Sequence, residues 1–179
     1  MEIYETDMLI QKAKRHDKKA FAELFKQNEK AMYKVAKAIL KNDEDVADAM
    51  QETALICWEK ISELRENKYF KTWLIRILIN KCNSIYKQKT KFISNEKQPE
   101  RGDFENGFAN IEWSLLLDIL AEKFRTIIIL YYVDGFKVRE IAQILDISES
   151  TVKARLVEAR KQVEKFYDVG KEQKNYGKI

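Results

Sequence analysis

The stretch Val138–Lys161, VREIAQILDISESTVKARLVEARK, places hydroxyl, basic and acidic side chains at the spacing of one helical face. Such groups suit one chemistry in particular. Lysine and arginine read guanine edges, while hydroxyls and cations position a phosphate backbone. A helix-turn-helix that reads DNA needs a small residue where its helices cross, a tight turn, and a second helix apolar on one side only. Ile141, Leu145, Ile147, Val152 and Leu156 supply the apolar contacts, and Ala142 the small residue. Asp146 stands at the turn, where aspartate tolerates the left-handed region better than most residues. Ser148 is placed to cap the second helix, with Thr151 three positions on. The outward face then carries Glu149, Ser150, Lys153, Ala154, Val157 and Glu158, with Arg155, Arg160 and Lys161 at phosphate height. Two helices that merely pack would share the apolar period, but need not match the crossing, turn and cap positions together. The segment therefore reads as DNA-binding.

A second constellation lies upstream. Residues 41–66 carry eight acids (Asp43, Glu44, Asp45, Asp48, Glu52, Glu59, Glu63, Glu66) against three bases. Residues 67–95 carry seven bases (Lys68, Lys71, Arg76, Lys81, Lys87, Lys89, Lys91) and no acid, with Tyr69, Phe70, Trp73, Tyr86 and Phe92 interleaved. This reversal predicts two different partner surfaces on one domain. Catalytic chemistry is poorly supplied. His16 is the only histidine, and Cys57 and Cys82 lie 25 positions apart with no partner motif. There is no P-loop, no HxxE-type metal motif, and no nucleophile paired with a base. Asp43-Glu44-Asp45 lacks the glycine and terminal glutamate of a calcium loop. No enzyme activity, cofactor or metal is expected.

The elements that must carry these residues are helical. Among 179 residues only five are glycine and one proline, too few for the turns of a sandwich or barrel, while 45% are hydrophobic and 35% charged. Phe21, Leu24, Phe25, Met32, Val35, Ala36, Ile39 and Leu40 follow helical spacing, with Asp17 as N-cap and Asn42-Asp43 as the break. Val46, Ala47, Met50, Ala54 and Cys57 or Trp58 continue it in the acidic segment; Phe70, Trp73, Leu74, Ile77, Leu78 and Ile85 do so in the basic one. Residues 88–112 lose the period and hold Pro99, Gly102 and Gly107, which marks a flexible linker. The expected fold is all-α: two small helical domains, 1–90 and 113–179, joined by a linker at 91–112. The tail from Asp168 to Ile179 is polar and expected to be disordered. The N-terminus lacks a signal-peptide h-region, and the longest apolar run, Ile127–Val133, is too short to span a bilayer. Sparse cysteine suits a reducing cytosol. Net charge is only +4, so charge distribution, not total charge, carries the nucleic-acid reading.

Laid in order, these segments resemble a bacterial RNA polymerase sigma factor of the extracytoplasmic function (group IV) class. RTIIILYYVDGFKVREIAQILDISESTVKARLVEARKQV, within about Leu115–Val163, is similar to region 4, which binds the −35 element. DEDVADAMQETALICWEKI is similar to region 2.2, and YFKTWLIRILINKCNSIYK to regions 2.3 and 2.4, within about Ala20–Lys87. Together the two blocks cover most of the chain. The resemblance implies that the acidic helix docks on the clamp helices of the largest polymerase subunit, with Asp45, Asp48, Gln51 and Glu52 as contacts. It implies a further region 4 contact on the second-largest subunit. The base-capturing loop falls at Arg65–Phe70, and strand-separated −10 DNA is assigned to Asn67, Lys68, Lys71, Trp73, Arg76, Asn80 and Lys81. Phe70 and Trp73 share a face with Ile77 and are read as core more than as stacking platforms, Trp73 keeping its place in the −10 set. The −35 element is assigned to Ser148, Glu149, Ser150, Thr151, Lys153, Ala154, Arg155, Val157 and Glu158.

Two departures from the family pattern have consequences. Leu120-Ala121 stands where a Leu-Pro pair is common and is expected to lengthen the following helix. Glu158 stands where a base is common and leaves the sequence read there open. The resemblance also implies an anti-sigma factor as partner, membrane-anchored in many members, although the chain is not itself a membrane protein. The competing reading is a stand-alone helix-turn-helix regulator, which would have no use for the acidic helix followed by the basic aromatic one.

Overall fold

The computed structural model describes the backbone of residues 2–93 and 120–176, and the side chains of residues 5–89 and 120–165. Among these residues every regular element is helical. They are α1 (Glu2–Lys14), α2 (Lys18–Ile39), α3 (Asp43–Lys60), two 3-10 turns (Ile61–Glu63 and Asn67–Tyr69), α4 (Phe70–Ile93), α5 (Glu122–Ile128) running into a π-helical turn (Ile129–Val133), α6 (Val138–Leu145) and α7 (Glu149–Tyr176). The chain divides into two compact units. The first holds α1–α4; the second holds α5, most of α6, and α7.

In the first unit, short polar side chains start the helices. Asp17 accepts from the Lys19 and Ala20 N–H groups at 2.9 and 3.0 Å to open α2. Asn42 does the same for α3 through Glu44 and Asp45. Asp43, Glu44 and Asp45 in the first turn of α3 then lie at the positive end of its dipole. Ala20, Leu24, Met32, Val35, Ala36 and Ile39 of α2 are buried, against the buried Leu74, Ile75, Leu78, Ile79 and Cys82 of α4 and the seam of α3. A helix the sequence reading did not identify, α1, packs on α2 through Ile10 and Ala13. The reversal between them puts His16 at φ 62 and sets its ring edge-on to Trp58, 5.3 Å between centroids. Phe21 meets the same Trp58 at 5.2 Å.

Several expectations need correcting. The buried seam of α3 is Val46, Ala49, Thr53 and Cys57, while Ala47 is exposed and Met50 and Ala54 are half-buried. Thr53 reads as polar, yet its hydroxyl donates to the Ala49 carbonyl at 2.6 Å, which lets it sit in the core. On α4 the core face runs through Phe70, Leu74, Ile75 and Leu78; Trp73 and Ile77 are only half-buried, so Trp73 is not a core residue of the same kind as Phe70. The helix also continues to Ile93, into the stretch read as aperiodic. Pro99, Gly102 and Gly107 lie outside the described residues.

In the second unit, Leu120, Ile128 and Ala159 form a buried cluster with Phe124 and Val163 packed on it. Residues 125–130 are buried without interruption, which is what a short helix enclosed on all sides requires. Ala121, at φ −58 and ψ 147, is the N-cap of α5, so the helix begins at Glu122 and Leu120-Ala121 does not lengthen it. The π-helical turn closes with Asp134 N–H on the Ile129 carbonyl at 3.0 Å. Gly135 then turns the chain at φ +70; a Cβ there would meet nothing within 4 Å, so backbone conformation and not space calls for glycine. The tail expected to be disordered from Asp168 is helical as far as Tyr176, as part of α7.

Candidate nucleic-acid interface

The helix-turn-helix is built by three local devices. The Glu140 carboxylate accepts from the Lys137 N–H at 2.8 Å and so ties down the start of α6. Asp146 adopts the left-handed conformation, φ 54 and ψ 48, and the Ala142 carbonyl accepts from both Asp146 and Ile147 N–H groups. Ser148 Oγ accepts from the Thr151 N–H at 3.1 Å, opening α7. Turn and cap thus stand where the residue types indicated.

Because α7 rests on the second unit through the buried Val152, Leu156 and Ala159, its opposite face is fixed outward. Glu149, Ser150, Lys153, Ala154, Val157 and Glu158 are exposed together, and Thr151 and Arg155 are half-buried beside them. Ser148 Oγ lies 2.8 Å from Ser150 Oγ and 2.7 Å from Thr151 Oγ1, a hydroxyl cluster at the start of the helix. Glu158 accepts from Gln162 Nε2 at 3.1 Å, which holds its carboxylate along the helix. Arg160, read as standing at phosphate height, is exposed and has its guanidinium 5.9 Å from the ring centroid of Tyr132. Ala154 and Val157, three apart, make an apolar step between the charged positions, of the kind that meets a thymine methyl.

In the first unit, Trp73, Arg76 and Asn80 fall at i, i+3 and i+7 along α4, Arg76 and Asn80 exposed and Trp73 half-buried. Its ring stands 6.1 Å from that of Phe70. Lys68 is exposed, pairs with Glu66 at 2.6 Å, and lies 4.9 Å from the Tyr69 ring centroid. The Glu66 carboxylate beside it raises the Lys68 pKa. Asn67 is turned toward α1 and held there by Asp7 and Lys14. Lys71 is half-buried and engaged.

The acidic and basic helices are not independent surfaces. Lys81 pairs with Glu52 at 2.7 Å, and Lys89 with Asp45 at 2.6 Å, so two acids of the proposed polymerase face are bridged to α4. Asp48, Gln51 and Glu52 remain on an exposed face that also presents Leu55, 65% exposed. Sequence reading missed Leu55. Its signal was a large apolar residue off the buried seam of α3, which could be recognised only once Thr53 had defined that seam. Lys37, by hydrogen bond and charge, holds the Asp43 carboxyl below its usual range; burial, then the hydrogen bond to Asp43, raises the Tyr33 pKa. Burial pushes the Cys57 thiol up to about 12, so it stays protonated and unreactive. Among the described residues no group of three metal-ligating side chains occurs, and no helix is long and apolar enough to cross a membrane.

Comparison with known proteins agrees with this geometry. Residues 24–92 match the family model for sigma-70 region 2, and residues 112–163 that for sigma-70 region 4. The chain is 29% identical to the RNA polymerase sigma factor SigV of Bacillus subtilis over 133 residues, covering 72% of this chain and 80% of that one. It is 27% identical to the ECF RNA polymerase sigma factor SigW of the same organism over 175 residues, covering 87% and 93%. Among solved structures, the sigma factor RpoE of Bartonella quintana, in complex with the anti-sigma factor NepR, superposes with a TM-score of 0.70 at 21% identity, covering 84% of this chain and 98% of that one. At that identity the superposition speaks for the fold. The two regional models together span both units, in the order their helices require. The chain belongs to the sigma-70 family as an extracytoplasmic function sigma factor, an alternative sigma factor that directs transcription initiation.

Proposed function

We propose that this sigma factor reads its promoter with two separate surfaces while bound to core polymerase. The exposed stripe of α7, from Ser148 through Glu158, takes the −35 element in the major groove. The Arg65–Phe70 loop and the Trp73–Arg76–Asn80 face of α4, flanked by Lys68, Lys71 and Lys81, take the strand-separated −10 element. The Asp45–Glu52 face of α3, with Leu55 as an added apolar contact, docks on the clamp helices of the largest polymerase subunit, and the second unit meets the second-largest subunit. The domains divide at 1–90 and 113–179, with 91–112 as linker. The protein is a non-catalytic subunit working in the cytoplasm, and phosphodiester synthesis belongs to the polymerase. An anti-sigma factor that covers the polymerase-binding faces holds it silent, as NepR is bound to the sigma factor of Bartonella quintana.

The observation that carries this reading is the pair of outward faces. One stands on a helix whose other side is closed by Val152, Leu156 and Ala159, the other on a helix closed by Leu74, Leu78 and Cys82. A stand-alone regulator would need only the first. The test is transcription in vitro by purified core polymerase, with and without this protein, from a genomic promoter library. Protein-dependent transcripts sharing two spaced upstream elements are expected. A protein that shifts duplex DNA alone yet supports no transcript would establish the stand-alone regulator instead.

A further inference from the structure

The 3-10 turn Asn67–Tyr69, in the middle of the loop assigned to base capture, has no buried residue of its own and no side-chain cap. Its backbone bonds are local: Tyr69 N–H to the Glu66 carbonyl, and Phe70 N–H to the Asn67 carbonyl. A single turn held only in that way would not keep one conformation. The side-chain hydrogen bonds that tie it to α1 converge on Asn67. Lys14 Nζ donates to Asn67 Oδ1 at 2.6 Å, and Asn67 Nδ2 donates to Asp7 Oδ1 at 2.7 Å, across 53 and 60 residues of sequence.

The chemistry of that junction fixes it in one orientation. The amide oxygen faces an ammonium and the amide nitrogen faces a carboxylate. Exchanging the two ends would set donor against donor and acceptor against acceptor. Both bonds are charge-assisted, and all three side chains are half-buried, which strengthens them over an exposed pair. Asp7 and Lys14 stand two turns apart on α1, and Gln11 Nε2 steadies Asp7 by donating to its other oxygen at 3.2 Å. The buried Ile10 and Ala13 seat α1 on α2, so the helix is itself anchored. With Asn67 held inward, the exposed side chains of the loop are Arg65, Glu66, Lys68 and Tyr69.

We propose that α1, which precedes the segment matched to sigma-70 region 2, is a brace that sets the loop for −10 recognition. Asp7 and Lys14 are positioning residues acting through Asn67, and Asn67 serves the loop's shape, not the DNA directly. This rests on the reading that the loop engages −10 DNA, and it revises the assignment of Asn67 as a direct contact.

The test uses full-length chain bound to core polymerase. Asp7→Ala, Lys14→Ala, Asn67→Ala, the Asp7→Ala/Asn67→Ala double variant and Asp7→Asn, which keeps the acceptor, are compared with wild type. Three affinities are measured: for a single-stranded −10 oligonucleotide from a promoter mapped by the transcription assay, for a duplex carrying its −35 element, and for core polymerase. Asp7→Ala, Lys14→Ala and Asn67→Ala are each expected to weaken −10 binding about tenfold, on the scale of a lost charge-assisted bond. The double variant should be no worse than Asn67→Ala, Asp7→Asn should restore most of the binding, and the other two affinities should not move. If Asn67→Ala weakens −10 binding while Asp7→Ala and Lys14→Ala behave as wild type, Asn67 touches DNA itself and the brace is refuted. Equal losses in all three affinities would mean that α1 supports only the fold, which also refutes it. Wild-type holoenzyme that binds the −35 duplex but not the −10 strand would remove the reading of the loop, and the brace with it.

Discussion

At the start of α3, Asp43 accepts from the Tyr33 hydroxyl at 3.1 Å and pairs with Lys37, which lowers its pKa from an ordinary value near 3.8. A carboxyl depressed on folding stabilises the native state above its unfolded pKa and loses that contribution as pH falls through the folded value. Asp43 is 65% exposed, so solvent screening keeps the contribution below about 1 kcal/mol. Asp43→Asn should therefore lower stability by less than about 1 kcal/mol at pH 7, and denaturant titrations should show the gap to wild type closing below about pH 4. Trp73 separates packing from function. Half-buried, it should cost roughly 1–2 kcal/mol on replacement by alanine, short of the roughly 3–5 kcal/mol of a fully enclosed aromatic. Open-complex formation by the same variant, followed by permanganate footprinting, should nonetheless be abolished. Lys153→Ala should cost about 1–3 kcal/mol against one base pair if the lysine reads a base edge. Equal losses on all −35 variants would make it a phosphate contact.

The helix-turn-helix depends on one left-handed residue between α6 and α7. Aspartate tolerates that conformation; glycine adopts it without a Cβ penalty. Asp146→Gly should raise stability by about 0.5–1 kcal/mol, read as a higher melting temperature, with −35 recognition unchanged because the Asp146 side chain is not on the reading face. On α3, the seam through Val46, Ala49, Thr53 and Cys57 decides which acids face out. A register displaced by one position, as the apolar pattern alone suggested, would have turned Ala47 inward and rotated the acidic face with it. The π-helical turn and Gly135 similarly set where α5 ends before α6 begins.

For the whole molecule, +4 of net charge is small, and the Asp45–Lys89 and Glu52–Lys81 pairs offset part of the basic field of α4. Free chain should hold DNA weakly and with a shallow salt dependence, since few phosphates can be neutralised. Binding both units to one polymerase raises the effective concentration of the second element once the first is engaged. Inserting about 5 bp between the two promoter elements turns one of them to the opposite side of the duplex, whose repeat is about 10 bp. Runoff transcription in vitro should fall to background with that insertion.

The all-helical class, the turn at Asp146, the cap at Ser148 and the outward stripe of α7 were legible in the order of residues alone. Each of these rests on a local rule: side-chain period, a left-handed site, or a hydroxyl beside free N–H groups. The N-caps Asp17 and Asn42 were legible for the same reason. Tertiary structure alone decided the rest. Thr53 could enter the α3 seam only because its hydroxyl returns to Ala49. Trp73 leaves the core because Leu74, Ile75 and Leu78 are the positions turned toward it. Nor could a local rule join Asn67 to Asp7 and Lys14, since hydrogen bonds across more than fifty residues depend on which helices pack together, and only the folded chain brings those partners within reach.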